Sequence, residues 1–236
     1  MTVNLASFPP GGLAVVFGAS GAVGGAVRRR FSESGAFADV VGLSRSDGVD
    51  LTSEPSIADA VARLAASDLP IRLAFDATGF LHDDRFMPEK GWRDLDPARL
   101  TEAFAINAIG PALVMKHVLP LLPRQGKSVF ATLSAKVGSI GDNQLGGWHS
   151  YRASKAALNQ FVRTAAIELA RKRPDAVCVA LHPGTVDSRL SAPFSKAGLD
   201  VRAPEVAAGD LLAVIDGLTA VDTGGFFDYR GNRLPW

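Results

Sequence analysis

Five apolar residues, Leu13-Ala-Val-Val-Phe17, lead without a spacer into Gly18-Ala-Ser-Gly21-Ala-Val-Gly24-Gly25. This juncture constrains the fold more than any other stretch. A strand with no polar alternation is one buried on both faces. Glycines directly after it allow a tight turn, and helical periodicity then runs over 26–34 and closes at Gly35. Strand, glycine turn and helix, in that order, form the setting in which a dinucleotide's pyrophosphate meets a helix N-terminus. An ordinary glycine-rich connection writes the same letters, so the remaining chain has to decide between the two.

The alternation continues. Apolar runs at 39–43, 71–75, 127–133, 176–181 and 225–229 read as strands. Helical patterns fall between them. The pattern at 54–67 places Ile57, Val61, Leu64 and Ala65 inward, and the one at 151–173 carries a stripe of Ala157, Phe161, Ala165 and Leu169. A long apolar helix over 97–122 holds Asn107, is interrupted at Gly110-Pro111 and ends at Pro120 and Pro123. A further helix is predicted at 204–218, with a proline at its start. The polar stretch 80–96 reads as an exposed connection, 138–150 as a glycine-rich loop with Trp148 and His149, and 188–203 as a loop or short helix. Strands alternating with helices predict an α/β fold, a doubly wound parallel sheet in a single domain. Right-handed crossovers set every strand's carboxyl end on one edge, where ligands bind.

With 236 residues the chain suits one such domain. A net charge of +1 offers no basic field, so no nucleic-acid partner is expected. No apolar run reaches the ~18 residues of a membrane span, and no integral membrane segment is expected. The one cysteine, Cys178, lies in an apolar run and reads as a buried thiol. The first ten residues lack a basic start and an apolar core, so the expected location is cytoplasmic. No metal site is expected.

Tyr151 and Lys155 are four residues apart, one turn along a helix face. An ammonium group one turn away favours the phenolate and lowers the tyrosine's pKa, which suits proton exchange with a carbonyl or alcohol. A surface pair on an amphipathic helix gives the same spacing. Arg45 follows the second strand, where an acidic residue would bind a ribose 2′-hydroxyl. An arginine there suits a 2′-phosphate, or is a solvated loop residue. Asn107 is either a satisfied core group or a residue that bends or hydrates its helix.

In family order, Gly18 to Gly24, Asp50-Leu51, Asp76-Ala77-Thr78-Gly79, Asn107, the strand end at Ser134, Tyr151-Arg-Ala-Ser-Lys155 and Pro183-Gly184-Thr185-Val186 resemble the short-chain dehydrogenase/reductase family. The segments beginning at Phe80, Pro88 and Arg233 are similar to its C-factor-like branch. The resemblance implies a Rossmann fold and an NADP(H)-dependent oxidoreductase that interconverts a small-molecule carbonyl and alcohol. Tyr151 would be the acid/base, Lys155 would hold the nicotinamide ribose, and Asn107 would anchor a relay water. Gly18, Ser20, Gly21 and Val23 would cradle the pyrophosphate, and Arg45 would take the 2′-phosphate. Asp50 and Leu51 would meet adenine, with Ala77, Thr78 and Gly79 beside the cofactor and Pro183, Gly184 and Val186 against the nicotinamide. A homodimer or homotetramer is expected, since the long helices from Pro97 and Tyr151 pair subunits in many relatives.

Three departures stand out. Ala22 takes the place of one glycine, Asp76-Ala-Thr-Gly79 replaces the usual N-N-A-G, and the catalytic serine's place falls on Ala135. Ser134, one residue early, is expected to serve instead if the backbone leaves strand geometry there. Ser139 or His149 could substitute. A second functional reading follows, a dinucleotide-binding signalling or regulatory protein with little catalysis.

Overall fold

In the computed structural model, residues 4–194 and 200–236 are described. The first apolar run forms β1 (Leu13–Phe17), and the glycine turn feeds α1 (Ala22–Ser34), which starts four residues earlier than its periodicity indicated. Then come β2 (Asp39–Leu43), α2 (Glu54–Ala65), β3 (Ile71–Asp76) and α3 (Pro97–Phe104). A π-helical turn at Ala105–Ile109 joins α3 to α4 (Gly110–Val118). The rest is β4 (Ser128–Leu133), α5 (His149–Lys172), β5 (Ala176–His182), β6 (Thr185–Val186), β7 (Val201–Arg202), α6 (Pro204–Gly217) and β8 (Phe226–Asp228). Six strands form one parallel sheet in the order β2-β1-β3-β4-β5-β8, while β6 and β7 pair separately. The chain is therefore a doubly wound α/β domain.

Side-chain alternation divides the core in two. Val15 and Phe17 of β1, Phe130 of β4 and Cys178 of β5 pack with α2, α4 and α5. Ala14, Val16, Phe75, Val129 and Val177 face α1 and α6 on the other side. Both faces of the central strands are covered, which is why their sequences are continuous apolar runs. Burial pushes the Cys178 thiol up to about 12, so it acts as a small apolar group.

The structure corrects several expectations. Ala65 of α2 is exposed, and Ala60 is buried with Ile57, Val61 and Leu64. On α5 the buried stripe runs through Leu158, Val162, Ala166 and Leu169, so Ala157, Phe161 and Ala165 flank it. The inner face of α5 also carries Ser154, Lys155 and Asn159, and a reading by hydrophobicity passes over such polar positions. The 80–96 connection is not uniformly exposed: Leu81 and Glu89 are buried. Part of the 188–203 expectation lies outside the described residues; within it, Ala192–Phe194 form a short 3₁₀ turn. The continuous helical run Pro97–Leu121 is long and apolar enough to cross a membrane by length and composition. Here Ala103, Ala108, Val114, Met115 and Val118 are buried in the domain.

Candidate active site

The carboxyl ends of β1, β2 and β3 open onto a cleft of about 720 Å³. Gly18, Ser20, Gly21, Arg45, Asp50, Leu51, Ala77, Thr78 and Gly79 all border it, so nine residues expected to touch a cofactor come together. The glycines are needed for close approach. A Cβ on Gly24 would lie 2.2 Å from the Gly18 carbonyl oxygen, and Gly18 itself sits at φ +77. The N-cap of α1, Gly21, makes no side-chain capping bond, and the first turn holds no acidic residue. Free N–H groups and the helix's partial positive charge thus face the cleft, an arrangement that fits a phosphate anion. Val23 does not border the cleft and packs against the core. Pro183, Gly184 and Val186 stand elsewhere on the same rim, where the Pro183 carbonyl accepts from Arg202 at 3.3 Å.

At Gly79 the cleft wall approaches Lys155 and Asn107. A Cβ on Gly79 would lie 3.7 Å from both Asn107 Oδ1 and Lys155 Nζ. Lys155 is 2% exposed, and its Nζ donates to the Leu133 carbonyl at 2.8 Å. Burial lowers its pKa to about 8, opposed by the charge of Asp76. Asp76, fully buried, is pushed up by desolvation while it accepts from Thr78 N and Oγ1 and from Thr132 Oγ1. Nζ sits 6.0 Å from the Tyr151 ring centroid. Tyr151 keeps some surface open, yet the protein packed around its hydroxyl pushes the phenol up to about 12. The expected lowering by Lys155 is not seen, because desolvation of a phenolate outweighs an ammonium turned toward a carbonyl.

Asn107 lies in the π turn and is fully buried. Its Nδ2 donates to the Phe80 carbonyl at 2.7 Å and to Ser154 Oγ at 3.1 Å, and its Oδ1 accepts from Phe80 N at 2.7 Å. The side chain therefore clamps the segment after β3. A π turn shifts the helical ladder by one residue, and such turns recur at functional sites.

Ser134 corrects the expectation placed on it. Its hydroxyl donates to Asn159 Oδ1 at 2.6 Å. Asn159 is eight residues beyond Tyr151 on α5, or ~12 Å along the helix axis, and tyrosine side chains lean the opposite way, toward the helix N-terminus. Ala135 has extended geometry (φ −139, ψ 141), so the chain does not break where a break was needed to bring Ser134 round. The alternatives fare differently. Ser139 Oγ donates to the Trp236 carbonyl at 3.3 Å and accepts from Asp142 N at 3.1 Å, whereas His149 opens α5 two residues before Tyr151.

Sequence reasoning missed Glu89. It is 1% exposed and accepts from Ser150, directly before Tyr151. No local signal marks it, since its partner lies on another element. Aromatic rings also gather here: Trp148 is edge-on to Tyr151 at 6.2 Å and to Phe194 at 4.9 Å, and Phe194 meets His82 at 5.4 Å.

A doubly wound parallel sheet whose strand ends hold a glycine-turn cleft and a tyrosine–lysine pair is the arrangement of an oxidoreductase domain. A family model described as Enoyl-(Acyl carrier protein) reductase matches residues 23–207. The chain is a member of the short-chain dehydrogenase/reductase family, in its C-factor-like branch. It is 40% identical over 144 residues to the C-signal of Myxococcus xanthus, covering 61% of this chain and 82% of that protein. It is 34% identical over 203 residues to 1-hydroxy-2-glutathionyl-2-methyl-3-butene dehydrogenase of Rhodococcus sp. (strain AD45), covering 86% of this chain and 84% of the relative. In fold it matches NADPH-bound carbonyl reductase from chicken fatty liver with a TM-score of 0.75 at 22% identity, over 99% of this chain and 98% of the other.

Proposed function

We propose that this oxidoreductase uses NADP(H) to interconvert a carbonyl and an alcohol, with Tyr151 exchanging the proton. The observation that carries the reading is the meeting of the cleft with Lys155 at Gly79, with the Tyr151 ring centroid 6.0 Å from the Lys155 ammonium. The cradle supports a dinucleotide, because only glycine at position 24 lets the helix start pack against the Gly18 turn that borders the cleft. Gly18, Ser20 and Gly21 would hold the pyrophosphate through the backbone, and Asp50 and Leu51 would flank adenine. Ala77, Thr78 and Gly79 would line the middle of the cleft, and Pro183, Gly184 and Val186 would close on the nicotinamide. When bound, the cofactor supplies or accepts the hydride. The protein's residues orient it, exclude water and move the proton: Tyr151 donates to the carbonyl oxygen, and Lys155 holds ribose hydroxyls beside it. Asn107 acts through the clamp on Phe80, and Ser134 through α5 rather than on substrate. A cytoplasmic location agrees with one buried cysteine.

NADPH preference is supported by exposed Arg45 at the cleft wall and by the likeness in fold to the NADPH-bound chicken carbonyl reductase. A charge-assisted bond to phosphate contributes about 1.5–3 kcal/mol, or roughly one to two decades in affinity. The test is a panel of aldehydes and ketones with NADPH and with NADH, on wild type and Arg45→Asp. Turnover with tighter NADPH binding is expected, and Arg45→Asp should remove that advantage. Equal dissociation constants in the wild type would refute the preference. A second reading, a dinucleotide-binding signalling protein with little catalysis, is favoured by the name of the C-signal relative and by the methyl of Ala135. Tight NADPH binding with no turnover across the panel would select it.

A further inference from the structure

Glu89 is a buried carboxylate that the proposed chemistry does not use. A carboxylate taken out of water needs donors. Ser150 provides two: its N–H donates to Oε2 at 3.2 Å and its hydroxyl to Oε1. The main chain of the same glutamate takes a third, from Trp148 N to the Glu89 carbonyl at 2.6 Å. All three donors belong to the start of α5.

A helix start leaves N–H groups without partners inside the helix, and the N-cap side chain ordinarily accepts one of them. Trp148, the N-cap of α5, has no acceptor and makes no capping bond. It also sits at φ 52, ψ 42, a left-handed conformation rare for a bulky residue and one that surrounding contacts must hold. Glu89 supplies from a distant segment what the N-cap lacks, and a negative group is favoured at a helix N-terminus. The two segments touch: a Cβ on Gly147 would lie 3.4 Å from the Glu89 carbonyl oxygen.

Tyr151 follows Ser150 directly, and its ring meets the Trp148 indole edge-on. Fixing Trp148 and Ser150 fixes the direction in which the phenol leaves the helix. We propose that Glu89 is a positioning residue for Tyr151, gripping the first turn of the catalytic helix from the 80–96 connection. The inference rests on Tyr151 being the proton donor. A geometric role of this kind acts on the chemical step, where a small misplacement costs up to about 100-fold in rate. Cofactor affinity, set across the cleft, is left alone.

The experiment uses the full chain with Glu89→Ala, Glu89→Gln, Ser150→Ala and the double variant. Rates are counted per NADPH-binding site, well below each variant's melting temperature. Glu89→Ala is expected to lower kcat roughly 10- to 100-fold with NADPH affinity within about twofold, and Glu89→Gln should recover part of the loss. The double variant should be no worse than the poorer single one. A kcat per site equal to wild type in Glu89→Ala overturns the proposal, as do losses that multiply. If Glu89→Ala does not fold, Glu89→Gln and Ser150→Ala decide, and unchanged kcat in both overturns it. With two tyrosines in the chain, the ¹³Cζ NMR signal of Tyr151 is assignable through Tyr151→Phe. A shift of that signal in Glu89→Gln supports the positioning role even if the wild type turns over no carbonyl, in which case only the catalytic reading fails. No shift counts against it.

Discussion

In the proposed mechanism, two titrating residues set the direction of the chemistry. With its pKa near 12, Tyr151 holds its proton at neutral pH, which favours donation to a carbonyl oxygen. Lys155, brought down to about 8, keeps its charge below that pH and loses it above. Carbonyl reduction is therefore expected to hold up to about pH 8 and then decline. Alcohol oxidation should keep rising into the alkaline range, where the phenol begins to release its proton. Rate profiles in both directions check this. The same lysine affects stability. Between about 8 and its ordinary value of 10.5 the unfolded chain binds the proton that the folded chain has released, so this group's contribution to stability rises with pH across that window. Below about 8 its burial penalty is present in full. Tyr151→Phe is expected to lower kcat by ~10²–10⁴ with NADPH affinity retained. Wild-type turnover in that variant would end the proposed role.

Elements place these residues, and the π turn between α3 and α4 does so through one amide. Asn107→Leu would leave both the N–H and the carbonyl of Phe80 without their partner. Each buried group so stranded costs about 1–3 kcal/mol, so the denaturation midpoint should fall clearly, and NADPH affinity with it, because Phe80 borders the cleft. An unchanged midpoint would show that Phe80 finds other partners. How much of this was legible in the sequence depended on range. β1 was visible to the residue, because a strand covered on both faces is written as an unbroken apolar run; the edge strand β2 was visible through its short Val-Val-Gly-Leu core after Asp39. The glycine turn and the Tyr151–Lys155 spacing were visible because they are local. The buried face of α5 was misplaced by one position, since Ser154, Lys155 and Asn159 give it polar members. The partner of Ser134 and the burial of Glu89 were invisible, because both are fixed by contacts between elements far apart in the chain.

The whole molecule sets its chemistry on one rim of a six-stranded sheet and leaves a helical flank open. Along α4 and α5, Ala112, Met115, Leu119, Phe161, Ala165 and Leu169 line a groove of about 440 Å³, and Phe161 is 42% exposed. An aromatic ring so placed is suited to a second copy of the chain, as expected for the family. Phe161→Glu should turn a dimer into a monomer, read by light scattering after gel filtration, and a wild-type monomer would refute the pairing. The parallel sheet has one more consequence. Every crossover returns to the rim opposite the cleft, and the corners there, Gly35 after α1 and Gly217 at the end of α6, face open space. A fluorophore or surface tether attached beside Gly217 would sit a full strand length from the chemistry. The enzyme could be immobilised by that corner with its cleft facing the solvent.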